Sequence, residues 1–257
     1  MIFLASDAVR FLVGSGLGAI IGSFLGALVM RWPRGDSIAR GRSRCDGCGR
    51  ILGMIDLIPL LGALIRRGRC QQCGMRIDPA HAIMEVGCAA IGGIALWLLP
   101  PFAALVIAIA GWMLLALAVL DARHFWLPDR LTLPLAVIGL TLGDWILPAP
   151  FQDRMIGAAL GYGLLFVLAW GYKRLRGREG LGLGDAKLLG AIGAWTGWQV
   201  LPLVLLVASM AGLVWALIER LRGKAMERGT RLPLGTFLCF AVLPVLLFAR
   251  MLGLTAL

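Results

Sequence analysis

Two acids stand at the edges of apolar runs in this chain. Asp185 closes Gly182-Leu183-Gly184-Asp185, after Gly180 and ahead of an apolar stretch that opens Ala186-Lys187-Leu188-Leu189. Asp121 ends a second apolar run that begins near residue 102. A charge at the edge of a lipid-soluble segment is costly, so each acid is a candidate for chemistry. Two carboxylates held close together cannot both ionise easily and come to share a proton. One can then take a proton from water while the other, protonated, polarises a carbonyl, as in an aspartyl protease. Gly180, Gly182 and Gly184 would let a substrate backbone approach. Plainer readings stand beside this one. Asp185 suits the cap of the helix that follows, and Asp121 suits a solvated charge at a helix end. Asp129, after Pro128, reads as a cap for the next helix. Lys187 either biases Asp185 toward ionisation or binds lipid phosphate.

A second constellation is cysteine. Cys45-x-x-Cys48 and Cys70-x-x-Cys73 form two knuckles, with Asp46-Gly47 and Gln71-Gln72 inside them and Gly49 and Gly74 just after. Four thiolates at this spacing fit a closed, tetrahedral structural zinc site, which folds a small domain and performs no reaction. Disulfides are the alternative, and a cytoplasmic location disfavours them. Cys88 and Cys239 lie in apolar runs and read as packing residues. His81 and Glu85 share one helix face and read as a hydrogen-bonded pair. His124, three residues past Asp121, is a bystander or a tuning group.

The elements that must position these residues follow from composition. The 257 residues are 60% hydrophobic and 15% charged, with a mean hydropathy of +0.87. This is an all-α polytopic membrane protein. Its net charge of +11 belongs to membrane topology rather than to nucleic acid, since no basic face is interleaved with aromatics. Eight apolar segments are expected to span: 9–30, 81–100, 102–120, 131–149, 155–172, 186–200, 201–219 and 233–255. The first carries no cleavage signal and reads as a retained helix. Its Gly14, Gly18, Gly22 and Gly26 form one smooth ridge for close helix packing. Pro100-Pro101 marks a tight turn.

Residues 31–80 differ from the rest. They hold ten arginines, including Arg40 and Arg42, and four of the six cysteines. The apolar run 55–65 within them is too short to cross a bilayer. The expected domains are therefore a first helix, 1–30, a four-cysteine zinc domain, 31–80, and a seven-helix membrane domain, 81–257. With 31–80 in the cytoplasm, all of the 25 Lys and Arg except Arg10, Arg154 and Arg250 fall on the cytoplasmic side. Arg178, Lys224, Arg228 and Arg231 are among those counted there. Both termini then lie outside, and Asp121 and Asp185 share the cytoplasmic membrane face.

Taken together, these residues resemble the type IV prepilin peptidases, bacterial inner-membrane aspartyl proteases. The likeness runs through Gly22-Ser23-Phe24-Leu25, Arg31-x-Pro33, the knuckles around Asp56-Leu57-Ile58-Pro59, Glu85, Asp121, Pro128-Asp129, Gly182-x-Gly184-Asp185-x-Lys187 and Leu232-Pro233-Leu234-Gly235. Gly26 stands where many members carry Asn, and Arg69 where Lys is common. The resemblance implies that Asp121 and Asp185 are the catalytic pair. It implies as substrates the leaders of type IV prepilins or type II secretion pseudopilins, cut after a glycine at the cytoplasmic face. It also implies S-adenosylmethionine as methyl donor for the new N-terminus. The rival from another class is a membrane scaffold of a pilus or secretion assembly, whose zinc domain docks a partner. A pore is disfavoured, because the helix middles are almost free of charge.

Overall fold

The structure, a computed structural model, describes residues 2–36, 43–45, 47–143, 149–177, 180–223 and 232–251. Arg40, Arg42, Asp46, Arg178, Lys224, Arg228 and Arg231 lie outside these, as do the ends of the 131–149 and 233–255 segments. The described chain is helical: α1 (Ile2–Arg31), α2 (Leu61–Ile65), α3 (Pro79–Leu98), α4 (Pro101–His124), α5 (Asp129–Leu142), α6 (Phe151–Arg176), α7 (Leu183–Thr196), α8 (Leu201–Leu221) and α9 (Leu234–Met251). Short 3-10 turns occupy Trp32–Arg34 and Ile55–Leu57. No β-strand occurs among the described residues, only the isolated bridges Arg44 to Ile51 and Arg69 to Arg76.

Each of the eight apolar segments coincides with a helix. Five are long and apolar enough to cross a membrane: the α1 region Ser6–Arg34, α3, α4, α6 and α8. This is a multi-pass membrane protein. α5 and α7, at 14 residues each, extend about 21 Å at 1.5 Å per residue, short of a hydrocarbon core of roughly 30 Å.

The chain forms two compact units, residues 1–116 and 117–257. In the first, the glycine ridge works as expected. A methyl group on Gly14, Gly18 or Gly22 would overlap the carbonyls of Gly92, Cys88 and Met84 on α3. Helix backbones can approach this closely only where side chains are absent, and such packing replaces the hydrophobic drive that lipid removes. Trp112 donates from Nε1 to the Cys88 carbonyl at 2.9 Å, tying α4 to α3. Arg10 donates to the Leu99 carbonyl, where α3 ends ahead of the two prolines. Glu85 departs from expectation. It accepts the Leu60 amide at 2.8 Å rather than pairing with His81. Leu60 has a φ of 63°, so this buried carboxylate holds a strained turn at the entrance to α2.

In the second unit α7 is the axis. Ala186 and every residue from Leu188 to Thr196 are buried. Its Gly193 meets Gly157 of α6, and Gly161 of α6 meets the Leu189 carbonyl, so a second glycine seam grips the helix. On its other side Trp195 donates to the Leu135 carbonyl of α5 at 2.8 Å and lies against Gly139. Asp153, in the first turn of α6, accepts from Trp198 Nε1 at 3.1 Å and Gln199 Nε2 at 2.7 Å, fixing the turn that leaves α7.

Arg154, one of the three basic residues left off the cytoplasmic side, is a fully buried residue of α6. It donates to the Gly139 carbonyl at 3.2 Å near the end of α5, and Gly143 leaves the space its guanidinium fills. Large apolar side chains such as Val167, Trp170, Leu213 and Leu217 face outward, as suits helices solvated by lipid.

Gly18→Leu should destabilise the first unit by about 1–3 kcal/mol through overpacking. Gly16, which faces open space, should accept Leu without loss. Thermal melting of the two variants in detergent compares them; equal melting would remove the seam from the argument.

Candidate active site

Asp121 lies three residues from the end of α4 and is 5% exposed. Its Oδ2 accepts the Thr236 backbone N–H at 2.7 Å and lies 3.1 Å from Thr236 Oγ1. That hydroxyl is also 3.0 Å from the Ala118 carbonyl. Thr236 is the third residue of α9, where backbone N–H groups have no partner within the helix. Asp121 therefore satisfies the start of α9 from a different helix. Negative charge is favoured at that position by the helix dipole.

Asp185 lies in the first turn of α7, whose cap residue is Gly182. The pair meets. Asp185 is near enough to feel the charge of Asp121, and the Gly235 backbone amide interacts with both carboxylates. Asp185 Oδ1 is buried and has no hydrogen-bond partner among the described residues. Cys239, one turn along α9 from Gly235, lies within the field of both acids. Gly182 and Gly184 differ in role. Gly184 packs against Leu127, where an added methyl would stand 3.0 Å from Leu127 Cβ, while at Gly182 a methyl would make only ordinary contact. At Gly235 a methyl would come within 3.0 Å of Asp121 Oδ2 and 2.8 Å of Leu127 Cδ1. Glycine there is what lets the α9 backbone reach the acids.

Lys187 and Asp129 form a separate pair. Lys187 Nζ contacts both Asp129 oxygens, at 2.7 and 2.8 Å. Asp129 thus does not cap α5, whose cap position is Pro128; its carboxylate turns to α7 instead. Both partners are substantially solvent-exposed, so the bridge adds little stability and serves to join the start of α5 to the start of α7.

The four cysteines converge in the first unit. All four sulfurs lie within 4.8 Å of one another. Cys45 and Cys73 are 3.8 Å apart, Cys48 and Cys70 3.9 Å. A zinc–sulfur bond of about 2.3 Å in a tetrahedron requires sulfurs about 3.8 Å apart, so the donor set fits zinc. The knuckles repeat one another. Cys45 N–H reaches the Arg50 carbonyl and Cys70 N–H the Met75 carbonyl, each at 2.8 Å. Gly49 and Gly74 both have φ of +71°, a left-handed turn that suits glycine. Backbone amides of Cys73 and Gln72 draw the Cys70 thiol down to about 6, favouring the thiolate that a metal needs.

Asp56 knits the knuckles to the chain between them. It accepts from Arg50 Nη2 at 2.7 Å, Arg66 Nε at 2.9 Å and the Gly53 amide at 3.1 Å. The Arg66 hydrogen bond, against the effect of burial and with help from Gly53 and Arg50, holds its carboxyl below the usual range.

The family described as "Type IV leader peptidase family" matches residues 107–217, and "Bacterial Peptidase A24 N-terminal domain" matches residues 17–99. Three similar proteins carry the name prepilin leader peptidase/N-methyltransferase. The one from Pseudomonas putida is 36% identical over 93% of this chain and 91% of its own length. That of Pseudomonas aeruginosa is 33% identical over the same shares. That of Aeromonas salmonicida is 38% identical over 78% of this chain and 69% of its own. The chain belongs to the type IV leader peptidase family. No solved structure matches it.

This family member carries one further opening, a cleft of about 310 Å³ in the first unit. It lies between one face of α1 (Ile20, Ser23, Phe24, Ala27, Arg31) and Ser43, Leu57 and Pro59. Among the described residues its lining offers one cation and two hydroxyls but no carboxylate, the group that would hold a ribose diol or face a sulfonium. These described residues alone do not supply that group for S-adenosylmethionine.

Sequence reasoning missed Thr236, Leu127 and the meaning of Gly235. Only the short Pro233-Leu234-Gly235 run marked that region, and nothing local tied it to Asp121.

Purified in detergent, the protein should carry about one zinc per chain, as a four-thiolate site requires. Cys73→Ser should strip most of it at micromolar chelator while the wild type keeps its metal. Elemental analysis reads this directly, and equal retention by both proteins would refute the site.

Proposed function

We propose that this protein is an aspartyl endopeptidase that removes the basic leader from type IV prepilins or type II secretion pseudopilins. The observation that carries this is the meeting of Asp121 and Asp185 at the Gly235 amide, in a member of the type IV leader peptidase family. The similar proteins' names supply the substrate class.

Water is the nucleophile. One carboxylate takes a proton from it as the oxygen adds to the scissile carbonyl, and the other, protonated, gives its proton to the carbonyl oxygen. The tetrahedral diol then collapses: the carboxylate that gave its proton takes one back from a diol hydroxyl as the carbonyl re-forms, the carbon–nitrogen bond breaks, and the proton held by the base passes to the leaving amine. No covalent acyl-enzyme forms. The Gly235 amide would act on charge that develops between the acids.

The proposed organisation is eight spans in a bacterial inner membrane, with residues 1–30 as first helix, 31–80 as a cytoplasmic zinc domain and 81–257 as peptidase domain. The arginine distribution supports this orientation. It puts cleavage, after a glycine, at the cytoplasmic face. Zinc would be structural. Methylation of the new N-terminus is proposed as a second activity on the names of the similar proteins.

Asp121→Asn and Asp185→Asn should each lower prepilin cleavage by at least about 10³-fold, the scale seen when an acid–base group is lost, while the protein still accumulates in the membrane. Gel-shift of a prepilin in detergent reads cleavage. Mass measurement of the product with S-adenosylmethionine should show one added methyl. Undiminished cleavage by both variants would favour the scaffold reading.

A further inference from the structure

The two acids are not equivalent in their surroundings. Asp121 Oδ2 takes the Thr236 N–H at 2.7 Å and faces Thr236 Oγ1 at 3.1 Å. Asp185 Oδ1 is buried with no partner among the described residues, and the donors near this carboxylate are the Gly182 and Gly235 amides, with no hydroxyl among them. Thr236 lies beyond the 107–217 stretch that matches the family description.

The hydroxyl of Thr236 carries one proton and has two acceptors in reach, Asp121 Oδ2 and the Ala118 carbonyl. That carbonyl lies inside α4, where the helix ladder already supplies it a donor. A carboxylate oxygen is the stronger acceptor. The proton therefore goes to Oδ2, and both donors of Thr236 converge on one oxygen. Asp121 Oδ1, which takes neither Thr236 donor, is then the oxygen to receive a proton from water. Donors aimed at a carboxylate favour its charged form, and a buried carboxyl oxygen without a donor favours the neutral one.

We infer that Thr236 is a positioning residue that fixes the rotation of Asp121 and makes it the base of the pair, with Asp185 as the acid. Rested on the aspartyl-peptidase reading above, this assigns the proton. Water gives its proton to Asp121 Oδ1 as its oxygen bonds to the scissile carbon. Asp185 gives its own proton to the carbonyl oxygen. The start of α7 also favours charge on Asp185, but the start of α9 does the same for Asp121. The two charge-assisted bonds from Thr236 then decide between them.

The hydroxyl and the amide can be separated. Thr236→Val keeps the shape and the N–H but removes the hydroxyl; Thr236→Ser keeps both donors. On a synthetic prepilin peptide in detergent, Thr236→Val should lose about 10–100-fold in kcat, as expected for a charge-assisted hydrogen bond. KM should stay within about twofold, because the ground-state complex does not use this bond. Thr236→Ser should recover to within about threefold of wild type. Wild-type kcat in Thr236→Val, or a fall in Thr236→Ser as deep as in Thr236→Val, would overturn the inference. Should Thr236→Val fail to accumulate, Thr236→Ala compared with Thr236→Ser makes the same comparison. Asp121→Asn, assayed alongside, separates the two proposals. If it is inactive while Thr236→Val is normal, the dyad stands without this role for Thr236. If it is active, the dyad itself is wrong.

Discussion

Everything in the second unit answers to one electrostatic constraint: two carboxylates brought together away from bulk water. Burying one unpaired charge is expensive, and burying two like charges side by side is worse. Among the described residues the chain meets this with backbone amides rather than with cations. The Gly235 amide faces both acids, and Thr236 N–H binds Asp121. These are first-turn amides of α9, groups that no helix can satisfy internally. A helix start is thus turned into the anion site, and the nearest lysine on α7 is kept elsewhere. Lys187 is held by Asp129. A lysine on Asp185 would fix that acid as a permanent anion and remove the shared proton on which the proposed chemistry depends.

That arrangement works only if α4, α7 and α9 cannot drift. Misplacement of a catalytic group by about 1 Å is enough to cost two orders of magnitude. In lipid there is no hydrophobic drive to press helices together, so positional precision comes from close packing. This explains why α7 is buried along almost its whole length and why its glycines lie against those of α6. Trp195, inserted at Gly139 and bonded to the Leu135 carbonyl, locks its other face. The short length of α7 follows from the same burial. A helix enclosed by protein needs no full hydrophobic span, since its neighbours satisfy its surroundings.

The cysteine region solves a different problem. It has little core: Met54, Leu61, Leu64 and Ile65 are exposed. A segment of this size without a substantial interior needs another source of order. The four sulfurs, at zinc-bonding separation, would provide one with a metal bound, and the ion-paired Asp56 provides a second, joining Arg50 beside one knuckle to Arg66 ahead of the other. Both were within reach of sequence reasoning to different degrees. The knuckle spacing is local and was legible. Asp56 was visible only as part of a run resembling a family, because its two partners lie 6 and 10 residues away with no periodic signal.

The same division runs through the whole molecule. Apolar length, glycine spacing and arginine distribution are written along the chain, so the helices and the α1 ridge could be read from it. Asp121 and Asp185 could be paired because each ends or begins an apolar run. What could not be read is any contact whose partners are distant and whose types are ordinary. Thr236 is a threonine in an apolar helix start. Arg154 looks like a loop charge until it is buried against Gly139. Asp129 has the sequence of a cap and the geometry of an ion pair, since the lysine that claims it is 58 residues away. In each case the side chain's local preference was outweighed by partners distant in sequence, and for the part-buried Thr236 and the buried Arg154 a polar group in a low-dielectric interior gains more from such partners than from its own helix.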